Sequence, residues 1–105
     1  RPVAMPDRRH TFNQYVVRVE DGRRDALAAH LKKSGIGYEV YYPMPLHTQE
    51  CLGFLGHREG DFPVAEAACK TVLALPMFPE ITEEQQDRVI QACAAIGARS
   101  LRRAA

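Results

Sequence analysis

The chain is poor in lysine, and that scarcity is the first constraint on its chemistry. Only Lys32, Lys33 and Lys70 occur among 105 residues. Schiff-base catalysis needs a lysine made nucleophilic by an apolar pocket or a neighbouring cation. Lys32 and Lys33 fall at the end of a helical pattern and Lys70 on an outer helix face, so no catalytic lysine is expected in this chain. Cysteine is scarce too: Cys51, Cys69 and Cys93 are odd in number and form no C-x-x-C. That argues against a disulfide framework and for a reducing, cytoplasmic location. No apolar run approaches the roughly 20 residues that span a bilayer, so no membrane partner is expected. Gly53, Gly56 and Gly60 lack both the G-x-G-x-x-G spacing and the Lys-Ser/Thr of a phosphate-cradling loop. Seven glycines and seven prolines are too few for low complexity, and no internal repeat is visible.

What is present reads as one ordinary folded domain. Hydrophobic residues at 46% and charged residues at 26% sit near the globular average. At this length folding buries roughly 60–70% of the extended surface, enough for one modest core. The net charge of +1 hides an uneven distribution. Residues 1–9 carry three arginines against Asp7, residues 99–105 carry three more with no acid, and the body between holds eight basic and twelve acidic residues. A nucleic-acid binder needs its basic face on the folded body, so no nucleic-acid partner is expected. The organisation predicted is a flexible basic leader over 1–9, a domain over 10–98 and a basic tail over 99–105. Because the chain opens on Arg1 with no initiator methionine, it is expected to be a piece of a longer polypeptide.

The element pattern points to an α+β fold. Residues 10–19 (HTFNQYVVRV) are β-branched and aromatic at strand length, and Glu20-Asp21-Gly22 then signals a turn. Residues 23–34 predict a helix with Leu27, Ala28 and Leu31 on one face, ended by Lys32, Lys33 and Gly35, with Ile36 placed to pack on Leu31 in a Schellman stop. Residues 38–42 (YEVYY) predict a second strand, halted by Pro43 and Pro45. A loop of about eighteen residues then runs to Gly60, too long for a bare connector. Asp61 is a plausible cap for a helix with Pro63 in its first turn. Ala65, Ala68, Cys69, Val72 and Leu73 form its expected buried stripe, with Glu66 and Lys70 an outward i,i+4 pair. Ala74-Leu75 is a short third strand. Thr82-Glu83-Glu84-Gln85 is a capping box opening a last helix with Val89, Ile90, Cys93, Ala94 and Ile96 as its apolar face. The closed arrangement of these elements is a two-layer sandwich, a small mixed or antiparallel sheet of about three strands covered by helices.

Several constellations have the residue types for chemistry. His30 lies within the first helix and reads as a helix residue. His47, Cys51 and His57 share the long loop and could supply imidazole and thiolate to zinc, but their spacing matches no structural zinc pattern. Cys51 with His47 could form a thiolate–imidazolium pair, but lacks an orienting third residue. Cys69 and Cys93 read as small core residues, and Glu83 and Glu84 as first-turn acids.

The segments HTFNQYVVRV, GIGYEVYYPMPLHTQ, GDFPVAEAACKTVLALPMFPEIT and TEEQQDRVI, in that order, resemble the C-terminal region of the DegT/DnrJ/StrS sugar aminotransferases over nearly the whole chain. The resemblance implies the smaller domain of a fold-type I enzyme dependent on pyridoxal phosphate (PLP), which moves an amino group, usually from glutamate, to a keto-sugar carried on a nucleotide. It further implies that PLP, its Schiff-base lysine and the aspartate facing the pyridine nitrogen belong to a larger N-terminal domain of the same polypeptide. This chain alone would then be inactive, and its partners would be that domain, a homodimer mate and the nucleotide-sugar. The family's H-Y-P-x-P-L-H stretch lies near the nucleotide-sugar, which marks Tyr42, His47 and, where many members carry histidine, Tyr41 as substrate-binding candidates. A phenol at Tyr41 cannot supply an imidazolium's charge to a diphosphate. Tyr41 and Tyr42 could stack on a base or bond a phosphate, with His47 as a polar donor, or could form a core or interface aromatic pair. Strand alternation aims only one of the two tyrosines at a ligand. Asn13 and Arg18 are weaker candidates. The alternative reading is a stand-alone, non-enzymatic ligand-binding or dimerisation module.

Overall fold

The computed structural model describes residues 3–101. Strand β1 (Tyr15–Arg18) is followed by helix α1 (Arg24–Lys33), two short 3₁₀ turns (Leu46–Thr48 and Glu50–Leu55), helix α2 (Pro63–Thr71), strand β2 (Val72–Leu75) and helix α3 (Glu83–Leu101). The α+β class is as expected, but the regular sheet is a two-stranded antiparallel one. Its register pairs Tyr15 with Leu75, Val16 with Ala74, Val17 with Leu73 and Arg18 with Val72. The expected strand over 38–42 contributes a single antiparallel bridge from Glu39 to Ala74, on the other edge of β2. Pro43 and Pro45 carry no N–H, so pairing cannot be carried on through them. The first strand is also shorter than its composition promised, because Phe12 adopts a left-handed backbone at φ 50°.

Helices α1 and α3 cover one face of the sheet. Leu27, Ala28 and Leu31 from α1, Leu73 from β2 and Ala92 from α3 form the core, with Val17, Tyr38, Val40, Leu75 and Ile96 packed against it. Leu31 and Leu73 are completely buried, each contributing about 1.5–3 kcal/mol through loss of apolar contact with water. Alternation explains the assignment: Val17 faces Leu73 across the ladder on the core side, while Ala74 faces the opposite side.

The end of α1 and the start of α3 follow their sequence signals, whereas Asp61 gives α2 no side-chain cap. Gly35, at φ 69°, donates to the Lys32 carbonyl and Ile36 donates to the Leu31 carbonyl at 2.9 Å, the paired bonds of a Schellman stop. Arg88 of α3 reaches the Ser34 carbonyl at 3.3 Å, tying the same helix end to its neighbour. At the start of α3, Thr82 N–H donates to Gln85 Oε1 at 2.9 Å and Gln85 N–H donates to Thr82 Oγ1 at 3.2 Å, closing the capping box.

Other expectations are corrected. Helix α2 stops at Thr71, so Val72 and Leu73 are strand residues rather than the end of a helical stripe, and Ala65 is exposed. Thr71 and Val72 are β-branched and lose rotamer freedom in a helix. Arg24 stabilises the switch by donating to the Cys69 and Val72 carbonyls at 3.3 and 3.4 Å. On α3 the inward stripe is Val89, Ala92, Cys93 and Ile96, at i, i+3, i+4 and i+7. Ile90 and Ala94 lie off that stripe and are exposed. Helix α3 continues to Leu101, three residues into the segment expected to be a tail. The remainder of that tail, 102–105, and residues 1–2 of the leader lie outside the described residues.

Candidate functional site

The segment leaving α1 crosses β2 at Glu39 and then delivers the two adjacent tyrosines to the surface. Glu39 and Ala74 exchange both backbone hydrogen bonds, at 2.7 and 3.2 Å. Tyr38 and Val40 pack on the core, which leaves Glu39 and Tyr41 on the opposite side. There Tyr41 edges an open groove of about 460 Å³, whose floor and walls include Asn13, Glu39, Ala74, Met77 and Phe78. The groove runs on, past Asn13, Met77 and Phe78, into a wider hollow edged by Phe12, Tyr15 and Gln86.

Tyr42 does not line the groove. Its ring meets Tyr41 edge-on with centroids 5.9 Å apart, and it is 65% exposed against 38% for Tyr41. The two residues lie beyond any strand, and Tyr41 lines the groove while Tyr42 stands outside it. Asn13, ranked below the tyrosines from sequence, stands beside Tyr41 at the groove, whereas Arg18 does not line it. Phe12, next to Asn13, holds its left-handed backbone under a stacked run of rings: His10 to Phe12 at 4.1 Å and Phe12 to Tyr15 at 6.3 Å. That conformation costs a non-glycine residue roughly 1–2 kcal/mol. It turns the chain into the groove before β1 begins.

His47 lies elsewhere. Its side chain is only 8% exposed, and its Nε2 sits 2.9 Å from Glu66 Oε1 on α2. Glu66 also accepts the Gly60 and Phe62 N–H groups at 2.8 and 3.3 Å. It therefore faces back over the start of its helix and makes no ion pair with Lys70, contrary to the expected i,i+4 arrangement. Partial desolvation acts to raise the Glu66 carboxyl, but the two amide bonds and then His47 outweigh it and hold the group below the usual glutamate range. Asp61, the expected cap, accepts the Arg58 N–H at 2.9 Å and faces His57 Nδ1 at 3.5 Å. No sequence signal marked Glu66 for this role, because its partners are 19, 6 and 4 residues away.

The remaining candidates do not converge. The Cys51 thiol faces Gln49 Oε1 at 3.8 Å and is exposed. Among the described residues no three of His, Cys, Asp and Glu are grouped as a metal site. Burial pushes the Cys93 thiol up. Lys32, Lys33 and Lys70 are all exposed, and the described residues form no apolar pocket around any of them of the kind a Schiff-base amine needs. The residues described here accordingly do not fit the carbonyl of pyridoxal phosphate. No helix is long and apolar enough to cross a membrane among the described residues.

Comparison with known proteins gives the arrangement its kin. The model of the DegT/DnrJ/EryC1/StrS aminotransferase family matches residues 1–94. A pleiotropic regulatory protein of Geobacillus stearothermophilus is 49% identical over 90 residues, which cover 86% of this chain and 24% of that protein. The dTDP-3-amino-3,4,6-trideoxy-alpha-D-glucose transaminase of Micromonospora megalomicea is 37% identical over 87% of this chain and 24% of its own length. In three dimensions the chain superimposes on DesV of S. venezuelae, solved in complex with a ketimine intermediate, at a TM-score of 0.80 and 37% identity, over 88% of this chain and 24% of that one. An aminotransferase of the same family from Brucella abortus gives 0.67 at 35% identity, over 78% and 21%. The chain spans about a quarter of the length of the relatives it matches. With fold, motif order and family model in agreement, the chain belongs to the DegT/DnrJ/EryC1/StrS aminotransferase family.

Proposed function

We propose that this chain is the C-terminal, smaller domain of a sugar aminotransferase, and that it completes a nucleotide-sugar cleft whose reaction centre lies in a larger N-terminal domain of the same polypeptide. The observation that carries the reading is a quarter-length member of an aminotransferase family in which every lysine is exposed. Pyridoxal phosphate held by the larger domain would supply the electron sink for amino transfer, with glutamate as the donor. Tyr41 would present its ring face and hydroxyl from the groove to the base or phosphate of the substrate. Asn13 would add a donor and an acceptor beside it. Tyr42 would meet ligand or partner surface from outside the groove. His47 contributes by holding the segment in place, since its Nε2 is engaged by Glu66.

The exposed apolar residues of the long loop and of the start of α2 support docking against further protein. Phe54 is 81% exposed, and Leu46, Leu55, Phe62 and Val64 are also open. Exposed apolar residues in such number support an interface, here assigned to the larger domain and a homodimer mate in the cytoplasm. The polypeptide that contains this chain, incubated with pyridoxal phosphate, should develop a Schiff-base absorbance band and transfer an amino group to a keto-sugar nucleotide. Tyr41→Ala in that polypeptide should raise KM for the nucleotide-sugar and leave the band intact. Absence of both band and transfer rejects the reading. The regulatory name of the Geobacillus relative favours a second reading, a non-enzymatic module that binds the ligand and leaves it unchanged. Nucleotide-sugar binding without turnover would identify that case.

A further inference from the structure

The eighteen-residue loop is closed on itself by one atom. Glu66 Oε1 takes the Nε2–H of His47 at 2.9 Å, the N–H of Gly60 at 2.8 Å and the N–H of Phe62 at 3.3 Å. The first donor stands near the loop's beginning, the second at its end and the third at the entry to α2. An ionised carboxylate only accepts, so the proton of this contact belongs to His47 Nε2. The Phe62 ring lies against both imidazoles, 4.8 Å from His47 and 5.0 Å from His57, and His57 in turn faces Asp61 at 3.5 Å. Closing a loop of this length costs conformational entropy, and three donors on one charged acceptor offset that cost. The tyrosine segment runs between two fixed points: the Glu39–Ala74 bridge before it and the His47–Glu66 contact after it. Pro43 and Pro45 stiffen the stretch between.

We propose that Glu66 is the positioning residue of this loop, fixing His47 and thereby the path of Tyr41 and Tyr42. Its functional meaning rests on the substrate-facing reading of those tyrosines, whereas the closure itself does not. Limited trypsin digestion of the whole polypeptide containing this chain, followed by mass spectrometry, reads the closure directly, because Arg58 lies inside the closed loop. Glu66→Ala should speed cleavage after Arg58 by roughly tenfold or more, since cleavage tracks the open population and the variant loses three hydrogen bonds to a charged acceptor. Glu66→Gln keeps a carbonyl acceptor and should stay within a few-fold of wild type, and so should His47→Gln, which keeps a donor. Cleavage after Arg24 and Lys32 should be unchanged in all of them. Unchanged resistance at Arg58 in Glu66→Ala overturns the proposal. If Glu66→Ala unfolds and accelerates every site, His47→Ala decides, and equal acceleration at Arg58 and Lys32 in that variant also overturns it. In the holoenzyme, Glu66→Ala should raise KM for the nucleotide-sugar more than it lowers kcat. A wild type that never transfers an amino group defeats the enzyme reading while leaving the Arg58 result standing.

Discussion

Replacing Gly35 by alanine tests the turn that directs the chain out of α1 toward the tyrosine segment. Gly35 has φ +69°, and nothing lies within 4 Å of a Cβ placed there. The cost of Gly35→Ala is therefore backbone conformation alone, about 1–2 kcal/mol for a left-handed L-residue. It is offset by roughly 0.4–1 kcal/mol from the stiffer unfolded chain. A net loss of about 1 kcal/mol is expected, which lowers Tm by roughly 4–8 °C in a domain of this size. Gly37 is the control. It also has open space for a Cβ but lies outside the left-handed region, so Gly37→Ala should leave stability unchanged or raise it slightly. Gly35→Asn should fall between the two, since asparagine tolerates the left-handed region better than alanine. Urea unfolding followed by circular dichroism measures all three. Equal shifts for Gly35→Ala and Gly37→Ala would refute the claim that the φ of one turn, rather than loss of glycine as such, sets the cost.

Three further outcomes follow from the core and its titrating groups. Leu73→Ala removes a fully buried side chain between the sheet and α1 and should cost about 2–5 kcal/mol, a large share of the stability of a small domain, read by the same unfolding assay. Glu66 has a folded pKa below its ordinary 4.5, so its contribution is complete above 4.5 and is lost as pH falls through the lower folded value. Stability should decline on acidification in that window less steeply in Glu66→Gln than in wild type, as a pH series of melts would record. Burial raises the Cys93 thiol while Cys51 is exposed, so iodoacetamide near neutral pH should label Cys51 first and Cys93 much later. Simultaneous labelling by mass spectrometry would contradict the packing of α3.

Local signals were the legible part of this protein. Gly35 with Ile36, and Thr82 with Gln85, specify their helix ends through partners within a few residues, and the bonds form as the residue types imply. The run Ala65–Leu73 was ambiguous for a physical reason. Its apolar spacing fits a helix throughout, but Val72 and Leu73 gain more by pairing with Arg18 and Val17 than by extending α2, and that partner is over fifty residues away. Glu66 was misread because a near lysine offered an obvious partner, while its actual donors converge only once the loop has folded back. The groove was likewise hidden, being assembled from the approach to β1, the Glu39–Tyr41 stretch and the residues after β2. Of the groove lining, the family resemblance pointed to Tyr41, and strand alternation only weakly to Asn13. That Tyr41 lines the groove while His47 is held by Glu66 emerges only in three dimensions.

Ala74 occupies an unusual place in this arrangement. Its amide and carbonyl are committed to Glu39, its other flank lies beside Val16, and its methyl group belongs to the groove floor. With the main chain pinned from both sides, side-chain bulk is the one quantity free to vary at that spot. Ala74 is itself only 5% exposed, so a valine there would have to take its room from the hollow, and glycine would deepen it. Position 74 is thus a built-in depth gauge, through which the size of what rests against Tyr41 could be altered while the chemistry of the surrounding walls stays the same.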